Sequence, residues 1–94
     1  MQLSIQTTVN SDLVIKEADT VTFSDAPNGE STIEVTFTAN YNAVPLVMVT
    51  MQSTNGSNVI AFCRDITTTG CKICIRNNYG NAVSYIVVGY AVII

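Results

Sequence analysis

Residues 58–75, with the sequence NVIAFCRDITTTGCKICI, decide the fold class. Apolar residues alternate on both sides of a threonine-rich corner that ends at Gly70. This is the pattern of two β-strands that each bury one face and are joined by a tight turn. Gly70 is expected to supply either a positive φ or a close approach of two backbones. The residues predicted to face inward are Val59, Ala61, Cys63, Cys71, Ile73 and Ile75.

Similar alternation recurs along the rest of the chain. Clusters of turn-forming residues at 25–29, 54–57 and 77–81 separate the apolar runs. The predicted strands are residues 20–24, 32–38, 46–53, 58–66, 71–77 and 84–94. No segment of useful length shows the 3.6-residue period of a helix, so the protein is predicted to be all-β, as an antiparallel sandwich or barrel.

The chain carries more apolar residues than one small core can use. Of its 94 residues, 48% are hydrophobic and only 12% are charged. Obligate subunit interfaces resemble a core cut in half, so we expect an oligomer. Three predicted strands are apolar on both faces, and one face of each is assigned to a subunit interface; the alternative is that residues 1–19 cover these positions. The assigned interface residues are Leu46, Met48, Ile60, Phe62, Ile86 and Val88.

Charge and composition exclude several classes of function. The net charge of −3 does not favour binding to nucleic acid or to an anionic membrane. Histidine is absent from the sequence, which removes the commonest general base and metal ligand, and no metal or cofactor is expected. Residues 85–94 are apolar but far shorter than the ~20 residues that span a bilayer, and no signal peptide is evident, so we expect a soluble protein without membrane insertion.

The cysteines do not form a disulfide framework. Cys71 and Cys74 are three residues apart, so on a strand they face opposite sides and cannot pair or share a metal. Cys63 and Cys71 share a face and are interpreted as two small buried hydrophobic residues, with a disulfide as the alternative. Residues 1–19 show no heptads and are interpreted as an N-terminal arm or linker, followed by one domain at residues 20–94.

Four motifs stand in order along the chain: Val35-Thr-Phe37 leading to Tyr41, Pro45 before the strand 46–49, the strand running into 66–70, and the ending YIVVGY at 85–90. Together they resemble the H-type lectin domain, the fold of the snail agglutinins, and related modules at the tips of bacteriophage tail fibres. The resemblance covers about residues 20–92. In that family an aromatic residue usually follows the corner glycine and a tryptophan often opens the last strand. This chain has Cys71 and Tyr85 there.

The resemblance implies a six-stranded antiparallel β-sandwich, a homotrimer, and calcium-independent sugar binding near the subunit boundary. The family's acidic residue falls within one position of Asp25, its arginine falls on Asn58, and its stacking tryptophan falls on Asn78, beside Tyr79. With Asn28, these residues form a candidate carbohydrate-binding site with acceptors, donors and an aromatic ring. Ordinary turn chemistry is the alternative for the asparagines.

These observations predict a lectin-like receptor-recognition module that binds cell-surface carbohydrate as a homotrimer. It is expected in the tail fibre of a phage or prophage virion, made in the bacterial cytoplasm; an extracellular protein is the alternative. A second hypothesis is a structural trimerisation or capping module of a virion fibre or baseplate without sugar binding. An enzyme such as a glycosidase with two carboxylates is not expected. Asp25 and Glu30 are the only close acidic pair on a turn predicted to be exposed, and the sequence suggests no buried environment for a catalytic acid.

Overall fold

β-Branched and aromatic residues, which favour extended backbone, form six strands in the part of the chain that the structure describes. A computed structural model describes residues 13–94. The strands are β1 (Ile15–Ala26), β2 (Gly29–Thr36), β3 (Leu46–Thr54), β4 (Val59–Arg64), β5 (Gly70–Asn77) and β6 (Val83–Ile93). Each predicted strand overlaps one of these. Most ends agree within a few residues, and the largest difference is at the start of β1.

The first strand begins earlier than the sequence suggested. Ile15 pairs with Ile93 and Ala18 pairs with Ala91, so residues 15–19 belong to the sandwich. The predicted domain start at residue 20 falls inside this strand and is corrected. Charged residues concealed the strand because β1 lies at the edge of its sheet, where a polar face can remain in water. Residues 1–12 of the predicted arm lie outside the described residues.

Two three-stranded sheets form the sandwich. Sheet A has the order β1-β6-β3 and sheet B the order β2-β5-β4. All four neighbouring pairs are antiparallel. The predicted six-stranded antiparallel β-sandwich is therefore confirmed, and the two central strands, β5 and β6, supply most of its fully buried side chains.

The core lies between the inner faces of the two sheets. Burying each large apolar side chain contributes about 1.5–3 kcal/mol relative to exposure, so this layer is the main source of stability. Phe37 and Tyr41 extend it, with their rings edge to face and their centroids 5.7 Å apart. The buried core residues are Phe23, Ala26, Phe37, Cys71, Ile73, Ile75, Val83, Ile86, Val88 and Val92.

Two residues assigned to a subunit interface belong to this core instead. Ile86 and Val88 are completely buried within a single chain and leave no surface for a second subunit. The outward positions of β6 are the alternate ones, including Val87 and Ala91. The sequence could not distinguish these two faces because both are apolar, and only the packing of β6 against sheet B determines which one is internal.

The threonine-rich corner fixes the connection between β4 and β5. The Thr67 hydroxyl accepts hydrogen bonds from the backbone N–H of Thr69 and of Gly70, at 3.2 and 3.1 Å. A side chain on Gly70 would collide with the backbone carbonyl oxygen of Val35. Gly70 therefore serves a close approach of two backbones. The positive φ of the corner, 54°, belongs to Asp65.

Glu17 joins sheet A to the loop after β2. Its carboxylate accepts hydrogen bonds from the Tyr41 hydroxyl at 2.5 Å and from the Thr38 backbone N–H at 3.1 Å. Desolvation opposes ionisation, but the hydrogen bonds from Tyr41 and Thr38 outweigh it and hold the pKa of Glu17 below its usual value. The same carboxylate raises the pKa of Tyr41 to about 12, chiefly through the hydrogen bond.

The three cysteines are free thiols on two faces of sheet B. Cys63 and Cys71 lie on the inner face, and Cys74 lies on the outer face, as predicted for residues three positions apart. Burial, with a smaller contribution from its neighbour Cys63, raises the pKa of Cys71 to about 12. Desolvation also raises the pKa of Cys63. Such thiols stay protonated near neutral pH and are poor nucleophiles.

Residues 13–94 contain no helix of the length and apolarity needed to cross a membrane. In the same range, no cluster of three or more histidine, cysteine, aspartate or glutamate side chains could hold a metal ion.

Candidate functional site

All five predicted carbohydrate-binding residues lie at one end of the sandwich. At this end β1, β3 and β5 finish and β2, β4 and β6 begin, because every neighbouring pair of strands is antiparallel. Asn77 at the end of β5 pairs with Gly29 on one side and Val59 on the other. We call the three loop segments here, residues 25–29, 54–58 and 77–82, the rim.

Two asparagines link neighbouring segments of the rim. The Asn28 side-chain oxygen accepts a hydrogen bond from the Gly80 backbone N–H at 2.9 Å. The Asn58 side-chain amide donates to the Asn78 carbonyl oxygen at 3.1 Å, and the Asn78 backbone N–H donates to the Asn58 carbonyl oxygen at 3.0 Å. These bonds bring Asn28, Asn58, Asn78 and Tyr79 onto one continuous surface.

Local backbone geometry explains why Asp and Asn occupy two of these positions. Asp25 and Asn58 have positive φ angles of 55° and 59°. Aspartate and asparagine tolerate this left-handed conformation better than most residues do. The turn role considered for Asn58 is therefore real, and the exposed side chain also forms part of the rim.

A buried asparagine that the sequence interpretation missed lies beneath the rim. The Asn77 side chain is fully buried. Its amide nitrogen donates to the carbonyl oxygens of Ala26, Pro27 and Asn81, at 3.2, 3.3 and 2.8 Å. Its oxygen accepts from the Tyr79 backbone N–H at 2.9 Å. The available signal was a polar residue at an inward position of a strand whose other inward residues are apolar.

Two exposed aromatic side chains lie at the rim or next to it. Tyr79, in the loop after β5, is 47% exposed. Tyr85, near the start of β6, is 46% exposed and pairs with Ser24, the residue before Asp25. The sequence interpretation used Tyr85 only as a family landmark. Its signal was an aromatic residue close to a turn, on an outward position of its strand.

The groups at the rim suit a polar, uncharged ligand. The Asp25 carboxylate is an exposed acceptor, and the asparagines add amide donors and acceptors. The Asn28 side-chain oxygen and the Asn58 side-chain nitrogen form hydrogen bonds within the rim. The Asn28 nitrogen and the Asn58 oxygen therefore remain for a ligand to contact. A tyrosine ring supplies an apolar face with a polar edge. Hydroxyl groups on a compact ring match this combination.

The remaining predicted interface residues lie on two different surfaces. Leu46 and Met48 are each 58% exposed and occupy the outer face of sheet A. Ile60 and Phe62 occupy the outer face of sheet B, since their neighbours Val59, Ala61 and Cys63 pack on the core. The structure therefore divides this part of the predicted interface into two apolar patches.

The acidic pair considered for catalysis is not a free pair. Glu30 lies on the outer face of sheet B and forms ion pairs with Arg64 and Arg76. The Arg64 guanidinium also lies over the Phe62 ring, 5.3 Å from its centre. The Glu30 carboxylate is thus paired with arginines of its own sheet and does not form a catalytic pair with Asp25 in this structure.

The fold is a β-sandwich domain with polar loops at one end of two three-stranded sheets. The model of the H-type lectin domain matches residues 32–93. The chain belongs to the H-type lectin domain family. No curated protein matches the chain.

Solved structures of fibres and spikes are similar to the chain. An N-truncated R1-type pyocin tail fibre is 25% identical, with 80% of this chain and 66% of that chain covered and a TM-score of 0.62. A C-terminal part of the Pseudomonas aeruginosa R1 pyocin fibre is 26% identical, with 80% and 22% covered and a TM-score of 0.61. The tailspike gp61 of Pseudomonas phage phi297 is 13% identical, with 83% and 15% covered and a TM-score of 0.66, which shows a shared fold alone. The chain thus spans only part of each of these proteins.

Proposed function

We propose that the domain is a non-catalytic, carbohydrate-binding receptor module of a tail fibre, and that the rim is its binding site. The observation that carries this proposal is the joining of three loops into one polar surface beside an exposed tyrosine ring. Family membership supports the assignment, because the H-type lectin domain is named for sugar binding. Similarity to pyocin tail fibres supports a place in a virion-like fibre.

Sugar recognition at the rim would use hydrogen bonds and stacking together. Asp25 accepts hydrogen bonds from two neighbouring hydroxyl groups, and the amides of Asn28 and Asn58 complete the polar contacts. The Tyr79 ring covers one apolar face of the sugar. Each contact is shallow and open to water, so a single rim binds weakly, and adhesion depends on several rims acting together.

We further propose that the chain assembles as a homotrimer. The outer face of sheet A has a shallow apolar depression of about 510 Å³ lined by residues that include Ile15, Met48 and Ala91. On the outer face of sheet B, a second and different patch consists of Ile60, which is 53% exposed, and the half-buried Phe62. A ring of identical subunits joins two different surfaces at each contact, whereas a two-fold dimer needs only one. Two distinct patches therefore fit a cyclic assembly.

Binding to an array of immobilised neutral and acidic glycans tests the sugar-binding proposal. We expect the wild-type protein to bind a subset of glycans, and Asp25→Ala to weaken binding about tenfold to hundredfold, since a hydrogen bond to a charged group is worth about 1.5–3 kcal/mol. Tyr79→Ala should also weaken binding. Asn40→Ala, an exposed truncation at the opposite end of the sandwich, is the matched control and should bind normally.

Light scattering on the same samples separates this function from its alternative. Variants that stay trimeric and lose glycan binding support the receptor module. A wild-type trimer that binds no glycan on the array would favour the structural trimerisation or capping module. A wild-type monomer would remove the trimer from the proposal.

A further inference from the structure

Asn77 is the only buried polar residue in the part of the chain that the structure describes. A primary amide has two N–H donors and one oxygen acceptor. Here the two N–H groups are shared among three carbonyl oxygens, and the oxygen accepts from one backbone N–H, so every donor and the acceptor have partners. Every one of these partners is a main-chain group of the rim. The hydrogen bonds of this side chain therefore fix the backbone of the loops.

An apolar residue would fill this position equally well if packing were its only purpose. The preceding inward residues of β5 are Cys71, Ile73 and Ile75, which are all buried and apolar. An isoleucine or valine at position 77 would leave the carbonyl groups of Ala26 and Asn81 without this partner. Buried main-chain groups almost always have partners, so the loops would have to move to find them in water.

The bonds of Asn77 reach two of the three segments that carry the candidate site. Ala26 and Pro27 lie between Asp25 and Asn28. The hydrogen bonds to their carbonyl oxygens therefore hold the backbone next to each of these two candidate site residues. The Tyr79 N–H fixes the backbone from which the exposed ring projects. The Asn28 and Asn58 links are exposed, where water competes for them, whereas the Asn77 bonds are shielded.

We propose that Asn77 is the positioning residue of the candidate carbohydrate site. It holds the segment of Asp25 and Asn28 and the segment of Tyr79 on one buried amide, so that acceptors and aromatic ring keep a fixed separation. The expected effect on affinity rests on the proposed sugar binding. The link that Asn77 forms between the two segments, which we call the clamp, is measurable without a sugar.

Asn77→Asp is the sharpest test because it keeps the size and shape of the side chain. The introduced carboxylate still accepts from the Tyr79 backbone N–H, but it has no N–H to donate to the three carbonyl oxygens, so the segment of Asp25 and Asn28 should detach. We expect the amide proton of Gly80, whose acceptor is the Asn28 side chain, to exchange with deuterium at least tenfold faster than in the wild type at pH 7.5. Binding to an array of neutral hexoses and N-acetylhexosamines should fall at least tenfold.

Acidification distinguishes a lost donor from general damage. Burial favours the protonated form of the introduced carboxyl group, which can again donate one hydrogen bond. Lowering the pH from 7.5 to 5 should therefore bring the exchange rates of the variant closer to those of the wild type at the same pH. A variant that was merely unstable would not improve on acidification.

Asn81→Asp is the matched control, since it adds the same charge to the same loop through an exposed side chain. Only the carbonyl group of Asn81 contacts Asn77, so this variant should keep wild-type exchange. If Asn77→Asp does not fold, Asn77→Ser, which keeps a hydroxyl donor but is too short to reach all partners, replaces it.

Wild-type exchange at Gly80 in a folded Asn77→Asp variant would overturn the inference. So would faster exchange with unchanged binding, because the residue would then be structural only. If the wild-type protein binds no glycan, the proposed function fails, while faster exchange at Gly80 in Asn77→Asp would still establish that Asn77 holds the two segments together.

Discussion

Replacing Met48 with aspartate is expected to separate assembly from folding. Met48 is 58% exposed on the outer face of sheet A, so in an isolated chain the change should alter the free energy of unfolding by no more than about 0.5 kcal/mol. In a trimer that covers this face, each copy would bury an uncompensated charge at about 3–5 kcal/mol. Three copies give about 9–15 kcal/mol, which weakens assembly at least a millionfold.

Ile86→Asp supplies the contrasting case from the same sheet. Ile86 is completely buried, so the substitution removes an apolar side chain worth about 2–5 kcal/mol and adds a buried charge at about 3–5 kcal/mol. The sum, about 5–10 kcal/mol, is comparable with the total stability of about 5–15 kcal/mol that is typical of a domain. This chain should unfold or become marginally stable.

Light scattering and circular dichroism measure the two outcomes on the same samples. We expect Met48→Asp to be a folded monomer and Ile86→Asp to lose its β-sheet spectrum. Asn40→Asp adds the same charge to an exposed loop and should remain a folded trimer. A Met48→Asp trimer with wild-type stability would refute the interface on sheet A, and a stable Ile86→Asp sandwich would refute the assignment of its core.

Three further substitutions or treatments test other parts of the fold. Glu17→Gln should reduce stability to urea at pH 7; because the folded pKa of Glu17 is lowered, its contribution is present above about pH 4.5 and is lost as the pH falls through the folded pKa, so the difference from wild type should shrink at pH 3.5. Gly70→Ala should lower the melting temperature, since the new methyl group meets the Val35 carbonyl oxygen; an unchanged melting temperature would contradict that contact. A maleimide at pH 7 should leave buried Cys71 and Cys74 unlabelled in native protein and label both in urea, and rapid native labelling would disprove their burial.

Much of the fold could be predicted because a strand with one buried face alternates apolar and polar residues along the sequence. In β2, Ile33 and Val35 point inward while Glu34 and Thr36 point outward, and the alternation alone locates the strand. The same logic fails for β1, where Glu17 is held by partners from another strand's loop. Its carboxylate resembles an exposed charge until the tertiary contact is known.

Both faces of a central strand can look alike in a sequence. Residues 85–94 are apolar at nearly every position, so the inner and outer faces of β6 differ only in what packs on them. The candidate site had a similar limit. Family positions located Asp25, Asn58 and Tyr79, but Asn77 acquires its role from carbonyl groups that lie about 50 residues away in the chain. Such contacts exist only after the sheets have paired.

Because Asn77 contacts only main-chain atoms, it places no demand on the side chains of the loops that it holds. Positions 78 and 79 can therefore exchange residues while the path of the backbone is preserved. A binding surface of this kind can acquire a new target by a few substitutions without a cost to the fold. If the rim is the receptor site that we propose, recognition can change at these two positions with little effect on stability.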